Sequence, residues 1–223
     1  MALLSNVHSG LSDPTTSPQK KVHITNSYVY YHYKCDGYND VGWGCGYRTL
    51  QTIASHLSLQ DKQGKAVQVP TLMKIQETLV EIGDKELSFI KSREWIGSFE
   101  VCLVIDKLYD VPCKILHCPS GGMTSIFPKL EEHFAKSSSA PPIMMGGDRD
   151  ASSKGVLGTC SVDDDRWLLV LVRKRCRDIY ACSAMFVLYS IFFLAGVGSS
   201  LPRRPNICCQ TSERRIHQMD TLE

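Results

Sequence analysis

The segment Asp40-Val41-Gly42-Trp43-Gly44-Cys45-Gly46-Tyr47-Arg48-Thr49-Leu50-Gln51-Thr52-Ile53 sets a glycine-rich turn directly against the start of a helix. Leu50, Ile53, Ala54 and Leu57 recur at i, i+3, i+4 and i+7, one apolar face at helical period. Cys45 falls at the junction. There the unpaired N–H groups of a first helical turn and the positive end of the helix dipole stabilise a thiolate. Gly44 and Gly46 let another backbone come close, and N–H groups beside the sulfur can stabilise an oxyanion. The spacing alone leaves two readings open, a cysteine nucleophile or a helix-start residue in a tight turn.

Outward from this segment the pattern is helices first and strands later. Pro70 opens a second helix whose apolar stripe is Leu72, Ile75, Leu79 and Ile82, and Gly83 closes it. Ser98 is the expected N-cap of a third, carrying Val101, Val104, Ile105 and Leu108. Strand-like runs follow at Cys113 to His117, Pro142 to Met145 and Trp167 to Val172, with a helical stretch near Ile126 to Lys136. Upstream, residues 1–21 are rich in Ser, Thr, Pro and Lys and read as a flexible arm. Val22-His23-Ile24 and Tyr28-Val29-Tyr30-Tyr31-His32-Tyr33 then read as one or two strands. The order predicts an α+β fold with segregated helices and sheet.

At 223 residues, 43% hydrophobic and 22% charged, the chain has the composition of a globular protein able to bury a core. A net charge of +2, with no basic run interleaved with aromatics, argues against a nucleic-acid partner. The first residues show no basic n-region and no long apolar h-region, so the cytoplasm is the expected compartment and thiols the expected state of the ten cysteines. No CxxC spacing occurs, which argues against a structural zinc site.

Four blocks together resemble a family. They are Tyr30 to Tyr33, Asp40 to Ile53, Ser92-Arg93-Glu94-Trp95-Ile96-Gly97-Ser98, and Pro142-Ile143-Met144-Met145-Gly146-Gly147-Asp148-Arg149-Asp150-Ala151. In order and spacing, across residues 22–171, they resemble the ubiquitin-fold-modifier-specific cysteine proteases, and more closely the shorter, catalytic-domain-only kind. The resemblance implies a papain-like core with Cys45 as nucleophile. It also implies that Tyr33, twelve residues earlier, is the tyrosine whose hydroxyl helps form the oxyanion hole. Trp43 and Gly44 would then flank a narrow substrate channel, and Gly146 and Gly147 would be close-approach backbone positions. The implied partners are the ubiquitin-fold modifier and its conjugates, cleaved after the modifier's C-terminal glycine, with no cofactor or metal and with endoplasmic-reticulum association left open.

The pattern breaks at one point. A cysteine nucleophile of this class needs a base and an orienting carboxylate. The family carries both in an Asp-Pro-His-Tyr motif after a hydrophobic strand. Here Trp167-Leu168-Leu169-Val170-Leu171 is followed by Val172-Arg173-Lys174, so the catalytic Asp and His are absent after Leu171. His8, His23, His32, His56, His117, His133 and His217 lack a carboxylate neighbour in sequence and read as structural, and Asp148 and Asp150 read as loop carboxylates. Residues 172–223 form a divergent tail. In it, basic Arg173 to Arg177 precedes Ile179 to Leu201, 23 residues without a charge. That run has the length and polarity of a membrane span. The favoured reading of the tail is nevertheless read-through of an intron, with the membrane anchor as its rival, since a splice donor read in frame as GTA-AGA encodes Val-Arg, the pair at 172–173. The resulting expectation is a modifier-processing thiol peptidase by descent with impaired activity. The alternatives are an inactive modifier-binding protein and a membrane-tethered form.

Overall fold

A computed structural model describes residues 3–60, 67–118, 123–137, 139–146, 152–171 and 184–188. Helix α1 (Cys45–Gln60) runs through the middle of the protein, and every residue from Cys45 to His56 is buried. Its apolar face, with Leu50, Ile53 and Ala54, packs against α2 (Leu72–Glu81) and α3 (Ser98–Tyr109) through Ile75, Leu79, Val101, Val104 and Ile105. Thr71 caps α2 by accepting the Lys74 N–H at 3.1 Å, and Gly83 (φ +78°) ends it in the left-handed conformation that glycine adopts without strain. At α3 the cap is Gly97 rather than Ser98. The Gly97 N–H donates to the Glu100 carboxylate at 2.9 Å, so Glu100 supplies the reach-back half of a capping box.

Five antiparallel strands make one sheet, with order β1 (Lys21–Ile24), β3 (Lys154–Val162), β4 (Asp165–Leu171), β5 (Ala184–Leu188). Strand β2 (Ile143–Met145) shares the β1 edge of β3, pairing Ile143 with Val156 while β1 pairs Ile24 with Gly158. A Cβ at Gly158 would strike the His23 carbonyl oxygen, so glycine is what lets β1 approach. Successive residues of β4 point to opposite faces. Leu168 and Val170 meet Ile126, Phe127, Leu130 and Phe134 of α4 (Met123–Ala135), whereas Leu169 and Leu171 meet Tyr28, Tyr30 and Leu157. Both faces are covered, which is why the strand is continuously apolar. Burial of each such side chain contributes about 1.5–3 kcal/mol relative to exposure.

Three further expectations are corrected. Tyr28 to Tyr33 forms no strand, because α1 and the N-terminal arm take up its backbone N–H groups from two sides. Val29 and Tyr31 donate to the Ser55 and Thr52 hydroxyls at 2.9 and 3.2 Å, whereas Tyr28 and Tyr30 donate to the Asn6 side chain and Leu4 carbonyl at 3.0 and 2.8 Å. Those last bonds also tie down the segment read as a flexible arm, and Val7 and Leu11 pack on Tyr28 and Tyr30. Cys113 to His117 joins no ladder. Strand β3, the centre of the sheet, is an element that the sequence reading missed. Within the apolar tail segment, Ala184–Leu188 is strand β5, in register from Trp167↔Leu188 to Leu171↔Ala184. Among the described residues no helix is long and apolar enough to cross a membrane. The basic cluster 173–177 and the rest of 179–201 lie outside the described residues.

Candidate active site

Cys45 is the first residue of α1, only 5% exposed, and its Sγ accepts the backbone N–H of Ser153 at 3.4 Å. The N–H groups of the first helical turn have no intrahelical acceptor, so the sulfur sits among main-chain donors from two elements. Ser153 immediately precedes β3, so the sheet edge and the helix start meet at this thiol.

The loop before Cys45 is held by a buried ion cluster. Arg48, with no exposed surface, donates through Nε to Asp40 at 2.7 Å and through both terminal nitrogens to Asp36 at 2.8 Å. Gln51 and the Cys35 sulfur accept further bonds at 3.0 and 3.2 Å. Asp40, equally buried, accepts the Lys34 N–H at 2.8 Å, and its carbonyl receives the Gly44 N–H at 2.8 Å. The two aspartates hold the guanidinium charged, raising its pKa against the opposing effect of burial. A Cβ at Gly44 would collide with the Asp40 carboxylate, so glycine there follows from this cluster.

On the other side, a Cβ at Gly46 would collide with the Ile96 carbonyl oxygen. The Ser92 to Ser98 block is thereby seated against the helix start. Tyr47 donates its hydroxyl to the Glu94 carbonyl at 2.9 Å, and the Gln76 amide bridges the Ser92 carbonyl and Lys91 N–H at 3.0 and 2.8 Å. Burial pushes the Tyr47 phenol up to about 12, which keeps it a neutral donor. Trp43 lies edge-on to Tyr47 and Tyr38, with ring centroids 5.2 and 6.0 Å apart, and lines a cavity of about 280 Å³ with Leu72, Met73 and Gln76.

Of the other expected site residues, Tyr33 is half-buried in the turn between Tyr31 and Cys45, its carbonyl bonded to His32 Nδ1 at 2.8 Å. A Cβ built on Gly146 meets nothing within 4 Å, so no packing within the described chain demands glycine there. Gly147, Asp148 and Asp150 lie outside the described residues, as does His217. Three further imidazoles are engaged away from Cys45. His56 bonds the Asn26 and Ser139 carbonyls, both at 2.9 Å, His133 bonds the Pro141 carbonyl at 2.9 Å, and His8 bonds the Tyr28 hydroxyl at 2.8 Å. Sequence reasoning missed Ser153, Ile96 and the Asp40–Arg48 pair. The signal for the pair was a charge at each end of an otherwise uncharged stretch, Val41 to Tyr47.

Comparison with known proteins agrees with this architecture. The family model of peptidase family C78 matches residues 19–178, seven residues past Leu171. A probable Ufm1-specific protease 1 of Drosophila melanogaster is 42% identical over 156 residues, 70% of this chain and 64% of that protein. The Ufm1-specific protease 1 of Mus musculus is 40% identical over 161 residues, 72% and 71% of the two chains. The crystal structure of UfSP from C. elegans superposes with a TM-score of 0.63 at 29% identity, covering 79% of this chain and 31% of that one. The chain thus spans a little under two-thirds of the fly relative and about a third of the nematode chain. Helix start, loop cluster and sheet form a papain-like α+β core, and the chain belongs to peptidase family C78.

Proposed function

We propose that this chain is a thiol peptidase of the Ufm1-processing type, impaired in turnover, with Cys45 as nucleophile and Tyr33 as oxyanion-hole donor. The observation that carries the reading is the position of Cys45: first residue of a buried helix, its sulfur facing the Ser153 N–H, inside the family match. In this reading the Cys45 thiolate attacks the carbonyl carbon of the modifier's terminal glycine, and main-chain donors and Tyr33 receive the oxyanion. Trp43 and Gly44 line the approach, and Gly146 leaves room for the extended tail. The leaving amine must then be protonated. No Asp-Pro-His follows Leu171, and the imidazoles of His8, His56 and His133 are bonded elsewhere. Loss of general acid–base catalysis slows such a step about 10²–10⁴-fold.

The same observation supports a second reading, in which the chain binds the modifier tail without turnover. A Ufm1 derivative with a C-terminal electrophile separates the two. Covalent capture that Cys45→Ser abolishes supports the nucleophile, whereas tight but wholly non-covalent binding supports the binding module. Precursor cleavage at the rate of an intact family member would overturn the impairment.

A further inference from the structure

The segment that carries Tyr33 runs along α1 toward its start. The Val29 N–H donates to the Ser55 hydroxyl at 2.9 Å and the Tyr31 N–H to the Thr52 hydroxyl at 3.2 Å. The Lys34 N–H donates at 2.8 Å to the Asp40 carboxylate, which Arg48 Nε holds at 2.7 Å. The α1 residues reached in turn, Ser55, Thr52 and Arg48, step back toward Cys45. Tyr33 is therefore bracketed by two anchors that both end on α1, two residues after the first and one before the second. Thr52, Asp40 and Arg48 are all buried. Thr52 lies two helical turns from Cys45 on the same side, ~10 Å along the axis. Two extended residues reach ~7 Å, so the step from Tyr31 carries Tyr33 back toward the helix start. Thr52 is also polarised for this contact. Its hydroxyl donates to the Arg48 carbonyl one turn earlier at 3.0 Å, leaving lone pairs for the Tyr31 N–H.

We propose that Thr52 is a positioning residue for acyl transfer to Cys45: its hydroxyl fixes Tyr31 so that the Tyr33 phenol stands where the oxyanion forms. The proposal rests on the reading of Cys45 as nucleophile and Tyr33 as oxyanion donor. Thr52 touches no substrate and acts only through Tyr33. Replacing its hydroxyl by a methyl takes this acceptor from the Tyr31 N–H and slackens the segment between Ser55 and Asp40. Misplacement by ~1 Å from a change outside the reacting groups can cost ~10²-fold in rate.

The test uses the full chain and Ufm1 bearing a C-terminal alkyl thioester. Cys45 Sγ bonds the carbonyl carbon of the terminal glycine, and the carbonyl oxygen takes the negative charge. The carbonyl then re-forms as the alkyl thiolate leaves. That group departs without a proton, so the missing acid does not limit the step. Intact mass of the acyl product against thioester concentration gives the maximal rate and the half-saturating concentration separately. Tyr33→Phe should lower the maximal rate ~10²–10³-fold. Thr52→Val should lower it ~10- to 10²-fold with half-saturation unchanged. Thr52→Ala, equally without the hydroxyl, should repeat that loss, and Thr52→Ser should restore the rate. In a Tyr33→Phe background Thr52→Val should cost nothing more. Iodoacetamide alkylates Cys45 without forming an oxyanion, so its rate should be the same with and without the Thr52 hydroxyl. The proposal is overturned if Thr52→Val is acylated at the unmodified rate or if its loss persists in the Tyr33→Phe background. It is equally overturned if alkylation falls in parallel with acylation, which marks damage to the helix start. A chain not acylated at Cys45, or acylated undiminished in Tyr33→Phe, would instead refute the underlying reading and the proposal with it.

Discussion

The Arg48 guanidinium and the Asp40 carboxylate, both without exposed surface, meet at 2.7 Å and fasten the helix that begins at Cys45 to the loop that leads into it. Removing one partner leaves the other charge buried and unpaired, at a cost of about 3–5 kcal/mol. Asp40→Asn and Arg48→Met should each lower stability by that order in urea unfolding. The double substitution should cost clearly less than their sum, and additive losses would show that the two residues are not coupled.

Gly46→Ala tests the seat of the Ser92–Ser98 block. The new methyl must displace the Ile96 carbonyl, which is backbone and cannot swing aside. A loss of about 1–3 kcal/mol is expected, as for overpacking elsewhere. Gly146→Ala meets open space and is the matched control, with thermal melting unchanged.

Cys45 should be alkylated by iodoacetamide at neutral pH faster than Cys35, Cys102, Cys113 or Cys160. Burial pushes each of those four thiols up, whereas the Cys45 sulfur faces main-chain N–H groups. Mass-spectrometric labelling rates give the order directly, and a Cys45 rate at or below those of the four would contradict the prediction.

Acid should weaken the loop cluster. Burial opposes the Asp36 charge, but the hydrogen bonds and charge of Arg48 outweigh it and hold the carboxyl below its ordinary value. A folded value below the unfolded one gives stability that is present above about pH 4 and lost as pH falls through the folded value. The difference in stability between the unmodified chain and Asp36→Asn should therefore shrink steadily from about pH 5 downward. A constant difference would show that Asp36 does not titrate with folding.

A chain ending at Leu171 should be less soluble than the full chain. It loses β5 and opens the edge of β4 along the apolar run Trp167 to Leu171. Long apolar edges pair with other chains. Sedimentation of both forms measures this, and a monodisperse truncated chain would mean that β5 protects nothing.

The helices were legible because their punctuation is chemical. Pro70 and Gly83 flank α2, and the stripe of α1 repeats at the expected interval. Strand β3 was not legible, since Gly155 and Gly158 interrupt its apolar pattern and glycine ordinarily weakens a strand. Gly158 is there because β1 must come close, a fact that resides in residues far away in sequence. The aromatic run Tyr28 to Tyr33 misled for the opposite reason. Its residues suit a ladder, but hydroxyls on α1 and the chain's first residues supply the acceptors. At the site, Cys45 was visible from local pattern, whereas Ser153 reaches it only through tertiary structure.

The pairing of Lys21 with Ser161 carries a consequence for the order of assembly. The contacts among α1, α2 and α3 close within neighbouring stretches of chain, while β1 must wait for nearly all the intervening residues to emerge. Local contacts form early and distant strand pairings late. During synthesis the helical half is expected to consolidate with Cys45 already at its helix start, and the Ser153 amide to arrive only when the sheet closes. Until then the sulfur lacks the N–H that it accepts from Ser153, so its reactivity serves as a clock for the completion of folding.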